Sequence, residues 1–335
     1  MSRRFRHPAI RASILLGIAV IGVALVATSN PLPAALVIRA VFQQNAARQL
    51  EAMQPFAPTT VTNELNLRYG RAGNPNTLDV FRPEGASGPL PAVIWVHGGA
   101  WVSGSKENVR PYVQNIAAAG FTAVALDYTV APELSYPGAL NEIDQAVAYL
   151  LANASTLGVD PTRIVLAGDS AGANMVSQYA AMVTNPGFAA WVGISPSLPA
   201  EHLRGVVLNC GIYDVSRIPE VTGLIGWGFN NALWAYAGKR DFLNAPGGEQ
   251  MSSINFVTTE FPATWISGGN GDPLTATQSV PLAAKLNGLG VSVTELFWPE
   301  DLTPALPHEY QFKLDVPQGQ EALASTIQFV QRVTD

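Results

Sequence analysis

Serine, histidine and aspartate side chains that could share one proton relay occur in this chain, each a short way beyond an apolar run. Ser170 lies in Gly168-Asp169-Ser170-Ala171-Gly172, directly after Arg163-Ile164-Val165-Leu166-Ala167. A G-x-S-x-G pattern at the end of a strand puts the serine on a sharp strand-to-helix turn, where a Cβ two residues to either side would crowd the backbone. The turn lifts the hydroxyl above the sheet and points backbone N–H groups toward it. The pattern alone also describes an ordinary Gly/Ser turn, so the partners decide its meaning.

A serine nucleophile needs a base that accepts and returns a proton near neutral pH, which favours histidine. The chain has four: His7, His97, His202 and His308. His7 lies in a basic tail, His202 in a polar stretch before a strand, and His97 in a glycine-rich loop. His308 follows the apolar strand Val291–Phe297 and precedes a C-terminal helix from about Gln318 to Val333. It satisfies the chain order serine, acid, histidine. The acid is expected at Asp272, in the glycine cluster after the strand Ala263–Ile266. There it would orient the imidazole, although it could equally cap a helix starting near Thr275. Asp214 is its main rival, ahead of Asp301 and Asp315.

The third need is a set of N–H donors for the oxyanion. Pro91–Val96 is a β-rich run ending in His97-Gly98-Gly99-Ala100-Trp101, where the backbone can approach a ligand closely. Gly98, Gly99, Ala100 and Ala171 are the candidate donors. His97 is expected to hold this loop by a ring hydrogen bond. Trp101 and Tyr136 are expected to line and partly fill an acyl channel.

Together, His97–Trp101, Asp127-Tyr128-Thr129-Val130-Ala131-Pro132-Glu133, Gly168–Gly172, Asp272-Pro273-Leu274 and His308 resemble the hormone-sensitive-lipase-like esterases of the α/β-hydrolase superfamily. Leu78-Asp79-Val80-Phe81-Arg82-Pro83 adds a likeness to bacterial feruloyl-esterase and kynurenine-formamidase relatives. The resemblance covers about residues 60–335 and implies an α/β-hydrolase fold, a Ser170–His308–Asp272 triad and N-terminal helices that cap the site. Two positions depart from the pattern: Ala100 replaces a third glycine, and Thr129 replaces a usual arginine. The second blurs the branch, and with it the substrate.

The elements needed to position these residues are legible as alternating strands and helices. Ala92–Val96, Thr122–Leu126, Ile164–Ala167, Gly205–Asn209, Ala263–Ile266 and Val291–Phe297 read as strands. Asn108–Ala119, Ala139–Ala154, Ala171–Val183 and Ala276–Leu289 read as helices. Such alternation implies a mostly parallel central sheet with helices on both faces, and the unbroken apolar runs suit strands buried on both sides. Ligand sites in such sheets form at the carboxyl ends of the strands. Residues 59–335 are expected to form this catalytic domain, with a lid or edge insertion over 213–262. Residues 31–58 read as a cap segment whose helix, Ala34–Met53, has an apolar side of Leu36, Val37, Ala40, Val41, Ala47 and Leu50. That helix could equally lie on a membrane surface.

At the N-terminus, Arg3, Arg4, Arg6 and Arg11 precede the uncharged run Ile14–Ala27. This suits a signal peptide cut near Ala27-Thr28-Ser29, or an anchor over residues 1–30, with the catalytic part outside the cytoplasm in either case. The chain carries 19 Lys and Arg against 25 Asp and Glu, without a basic stripe, which speaks against nucleic-acid binding. Cys210 is the only cysteine, so no intramolecular disulfide exists, and it reads as a small buried hydrophobe. No H-E-x-x-H or P-loop pattern occurs, so neither metal nor cofactor is expected. The chemistry expected is hydrolysis of small short-chain or aryl esters through an acyl-enzyme. An amidase or formamidase with the same parts, and a binding protein on the same scaffold, remain as alternatives.

Overall fold

The computed structural model describes residues 29–70 and 75–335. The segment read as a signal peptide or anchor therefore falls almost wholly outside the described residues. One eight-stranded sheet contains β1 (Val61–Arg68), β2 (Thr77–Pro83), β3 (Leu90–Val96), β4 (Thr122–Leu126), β5 (Val159–Asp169), β6 (Leu203–Asn209), β7 (Thr264–Gly268) and β8 (Val293–Phe297), in the order β1-β2-β4-β3-β5-β6-β7-β8. β2 pairs antiparallel with both β1 and β4, and every other pair is parallel. The sheet is thus mostly parallel, as its buried, non-alternating runs require.

The helices are α1 (Leu32–Met53), α2 (Lys106–Ala118), α3 (Gly138–Ala152), α4 (Ala154–Leu157), α5 (Ala171–Thr184), α6 (Pro186–Val192), α7 (Gly223–Ala237), α8 (Val280–Gly288) and α9 (Pro317–Thr334). The pleat sends alternate side chains of each strand to opposite cores. Ile94, Val96, Leu166 and Leu208 pack with α3, α5 and α8 on one face. Val93, Trp95, Ala167 and Val207 pack with α2 and α9 on the other. Among the described residues, no helix is long and apolar enough to cross a membrane.

Four elements go beyond or depart from what the sequence pattern suggests. β1 and β2 extend the sheet beyond the strands read from apolar runs. Residues 213–262 include a 15-residue helix, α7, which packs against α1. The helix expected from Ala276 begins as a wide turn, Thr275–Ser279, before α8.

One polar knot ties the antiparallel edge to the strand ends that carry the site. Lys106, at the start of α2, is fully buried, and its Nζ lies 2.9 Å from Asp79 Oδ1, 2.8 Å from Glu107 Oε1 and 2.8 Å from Asn66 Oδ1. Asp79 also accepts from Arg110 at 3.0 Å, and the Lys106 N–H donates to Asp127 Oδ1 at 2.8 Å. A buried charge stripped of its partner is strongly destabilising. Lys106→Ala should therefore lower stability by roughly 3–5 kcal/mol, read as an earlier urea midpoint. An unchanged midpoint would mean that the knot is dispensable.

Candidate active site

β3, β5, β6 and β7 end at one level, and their loops bring the candidate residues together. Ser170 sits between β5 and α5 with φ 50° and ψ −118°, a strained conformation for a residue with a Cβ. Its N–H donates to Asn209 O at 2.8 Å, which fixes the turn against β6. A Cβ on Gly172 would lie 2.0 Å from Val96 O, so only glycine lets α5 start this close to β3. The Ser170 hydroxyl donates to His308 Nε2 at 3.0 Å, and His308 Nδ1–H donates to Asp272 Oδ2 at 2.7 Å.

Asp272 does both jobs that its position allowed. Oδ2 holds the imidazole, while Oδ1 accepts the Leu274 N–H at 2.9 Å and so caps the following turn. Asp214 is occupied elsewhere, accepting from the Ser216 N–H at 3.0 Å. Asp301 and Asp315 are exposed on the surface.

The oxyanion candidates separate into two groups. Gly98 N–H already donates to Asp169 Oδ2 at 2.8 Å and is not free for a ligand, which corrects its place among the donors. Among the described residues, no group engages the N–H of Gly99, Ala100 or Ala171. Ala100 and Trp101 both take positive φ, 52° and 59°, which turns the loop under the serine. His97 Nδ1–H donates to Gly98 O at 2.7 Å, and its ring stacks on Tyr128 with centroids 4.4 Å apart. The Tyr128 hydroxyl in turn donates to His97 O at 3.1 Å.

Trp101 and Tyr136 do not occupy an acyl channel. Trp101 is fully buried, stacks on Tyr236 at 5.6 Å and donates to Asn174 Oδ1 at 3.3 Å. Tyr136 meets Tyr236 edge-on at 5.8 Å. Trp101 therefore belongs to the core, the half-buried Tyr136 packs against it, and neither lines the cavities at His308.

Two cavities meet at His308 and Phe42. One, of about 400 Å³, is almost wholly apolar and lies between α1 and α7, with Val41, Ala100, Leu224, Phe229 and Leu274 in its wall. The other, of about 300 Å³, is more polar and is lined by Asn45, Gln49, Gly99, Ser103 and Glu309. α1 is fastened over both by Arg39, which donates to Val102 O at 2.7 Å and Ala131 O at 2.9 Å and pairs with Glu133 at 2.7 Å.

The sequence reading missed a second carboxyl cluster. Asp169 is buried, and besides Gly98 it accepts from Trp95 Nε1 at 2.7 Å. Glu309 hydrogen-bonds to Asp169, and its Oε1 lies 3.9 Å from His308 Nε2. Burial raises the pKa of both carboxyls, and the Asp169 charge raises that of Glu309 further. Glu309 is thus the partner that keeps a proton and donates to Asp169. At His308, burial opposes the charged ring. Asp272 first, then Glu309 and Asp169, outweigh it and push the imidazole up to about 9. Cys210 lies close behind the dyad, its Sγ within 4.8 Å of the Asp272 and His308 ligand atoms. Burial, then Asp272, pushes its thiol well up, so it stays protonated and a poor metal ligand.

The BD-FAE family pattern matches residues 78–286, well over half of the chain. Carboxylesterase NlhH of Mycobacterium tuberculosis is 32% identical over 282 residues, which are 79% of this chain and 82% of that protein. The chain belongs to the BD-FAE family. Esterase LipQ of Mycobacterium tuberculosis is 27% identical over 69% of the chain, and the chain spans only 55% of LipQ's length. In fold, this BD-FAE chain superposes on esterase B from Lactobacillus rhamnosis with a TM-score of 0.79 at 22% identity, over 91% of this chain and 96% of that one. The fold is that of the α/β-hydrolases. The matched span holds Ser170 and Asp272, whereas α1, His308 and Glu309 lie beyond it.

The carboxyl cluster sets the pH dependence expected of this BD-FAE site. His308 accepts a proton only as the neutral imidazole, and a raised pKa keeps it charged to higher pH. With a neutral soluble ester, kcat/KM should climb with pH and reach half its plateau near pH 9 rather than near the ordinary histidine value. Glu309, protonated at neutral pH, ionises near 8 and so bears its charge where the imidazolium titrates; Glu309→Gln removes that carboxylate, and the rising limb should move to lower pH. Superimposable profiles for the two proteins would remove Glu309 from this account.

Proposed function

We propose that this protein is a serine carboxylester hydrolase working through an acyl-enzyme. The observation that carries the reading is the continuous relay Ser170 Oγ–His308 Nε2 at 3.0 Å and His308 Nδ1–Asp272 Oδ2 at 2.7 Å, beside three uncommitted backbone N–H groups. In this reading His308 takes the Ser170 proton as Oγ attacks the ester carbonyl. The oxyanion is held by Gly99, Ala100 and Ala171 N–H, and Asp272 stabilises the imidazolium without taking its proton. His308 then protonates the leaving alcohol, and water, deprotonated by the same ring, releases the acid. The likeness to NlhH, a carboxylesterase, and LipQ, an esterase, supports the same class. Esterase B is itself inhibited by a C4-C4 tributyrin phosphonate.

The two cavities support a division of the substrate. The apolar one beneath α7 suits the acyl chain, and the polar one at Asn45, Gln49 and Glu309 suits the alcohol. A volume of about 400 Å³ lies near the lower end of the ~300–1,000 Å³ usual for small-molecule sites. Short and medium acyl chains fit such a space.

Ser170→Ala should reduce kcat on an activated ester by roughly 10⁴-fold or more while leaving the fold intact. An alkyl phosphonate should modify Ser170 and no other residue, as read by peptide mass. Labelling elsewhere, or near-normal turnover by the variant, would overturn the assignment. For the acid, Asp272→Asn should cost far more activity than Asp214→Asn. Across p-nitrophenyl esters, kcat/KM should rise with each added CH₂, worth ~0.8 kcal/mol when buried, and fall beyond roughly eight carbons as the pocket fills. A steady rise out to palmitate would mean that the cavity opens further than its walls indicate. Faster turnover of aryl formamides than of matched esters would favour an amidase instead.

A further inference from the structure

The cap carries an apolar face turned outward. On α1, Ala35, Ile38, Phe42 and Met53 face the protein, at the spacing of one helix side. Of the apolar side read from the sequence, Leu36, Val37, Ala40, Val41 and Ala47 are exposed and Leu50 is half-buried. Beside Leu36, Val37 and Val41 stand Leu224, Ile225 and Trp227 on α7, and these six side chains are between 44% and 82% exposed. Several of them also form the outer wall of the apolar cavity at His308. The stretch is free of charge: none occurs between Arg11 and Arg39, or between Glu220 and Lys239. Arg39 itself is spent on Glu133 and two carbonyls.

We propose that this α1–α7 face docks on a phospholipid bilayer, with the mouth of the apolar cavity against the lipid. Three observations favour a bilayer over another protein. First, six side chains on two helices fall far short of the ~20–30 residues a side in a standard protein interface. Second, the outward side of the first turns of α1 carries Leu36, Val37 and Val41 with no charge before the exposed Arg48, and Trp227 offers the ring favoured at the level of lipid headgroups. Third, the run Ile14–Ala27 and its four arginines precede α1 with only Thr28, Ser29, Asn30 and Pro31 between. If that run is retained in a membrane, a linker of four residues reaches at most ~14 Å, which leaves α1 at the surface. The docked face is independent of the chemistry. Its consequence, delivery of lipid-dissolved esters to Ser170, rests on the ester-hydrolase reading.

The test uses the full chain carrying a polarity-sensitive fluorophore at Leu36→Cys or Leu224→Cys. Ser155→Cys, exposed near the amino end of β5, is the control. Native Cys210 is fully buried and will not compete for label. With vesicles of three parts phosphatidylcholine to one part phosphatidylglycerol, both cap labels should shift to the blue and be quenched by nitroxide lipid, while the control stays in water. Cap labels that remain water-exposed on chains that float with the vesicles would mean an anchor without docking and would overturn the proposal. So would shielding without vesicles, whether it grows with protein concentration (a second copy) or does not (residues 14–27 folded back). As a functional readout, Leu36→Glu should lower hydrolysis of a vesicle-dissolved ester roughly five- to tenfold. Its rate on a soluble ester should stay within about twofold, since the residue sits outside both cavities. Absence of soluble-ester hydrolysis in the unaltered protein would count against the reaction, not against the docked face.

Discussion

The Asp169 carboxylate joins the parts of the site that must not move relative to one another. One oxygen takes the Trp95 indole N–H and the other takes the Gly98 N–H, so the residue before Ser170 grips both β3 and the loop that follows it. Glu309, next to His308, donates to the same carboxylate. The Ser170 turn, the loop after β3 and the His308 loop therefore share one anchor. A buried carboxylate with no cation is costly unless hydrogen bonds satisfy it. Here three donors do so, and each comes from a different segment. The sequence of the elbow thus does more than permit a sharp turn, because its variable position holds the neighbouring loop in register.

That register also depends on what is missing. A Cβ on Gly98 would lie 2.3 Å from Asp169 Oδ2, and one on Gly172 would strike Val96 O. The approach of α5 to the β3 loop, which sets the space between Ser170 and the Gly99 and Ala100 N–H groups, is available to glycine alone at these positions. Strain is accepted next door. Ser170, Ala100 and Trp101 all hold positive φ with side chains attached, and each is clamped by packing or by a backbone hydrogen bond on either side. The Ser170 N–H to Asn209 and the Ala131 N–H to Trp101 are two such clamps. Cys210 and Glu309, beside His308, also take positive φ, so most of the strained residues gather around the site, as preorganised sites commonly show.

Much of this was legible in one dimension. Buried parallel strands announce themselves as unbroken apolar runs, and the serine, histidine and acid fall in loops after such runs because that is where the sheet presents ligands. What was not legible has physical reasons. β1 is an edge strand, mostly exposed, and its polar Val61–Arg68 sequence has no core-facing period to read. α7 is apolar nearly all round and rich in glycine, so it shows neither a helical nor a strand period. Trp101 looked like a channel residue because it follows the oxyanion glycines. Its ring is instead held in the core by Tyr236 and Asn174, which lie far away in the chain. Glu309 stands beside His308 in sequence, but its meaning depends on Asp169, 140 positions away, which no local pattern reveals.

The segment Asp127–Glu133 shows how a motif can serve the site without touching the chemistry. Asp127 caps the start of α2 through the Lys106 N–H, and Tyr128 braces His97 by stacking and by its hydroxyl. Ala131 O and Glu133 receive Arg39 from the cap. Thr129 gives its N–H and hydroxyl to Glu142 at 2.6 Å and 2.9 Å, which ties the segment to α3. The same stretch therefore fixes the oxyanion loop from below and the cap from above. Because Arg39 also holds Val102 O, α1 is bonded directly to the loop that carries Gly99 and Ala100. The cap thus both lines the apolar cavity at His308 and braces the loop beside Ser170, so its outer face and the site share one support.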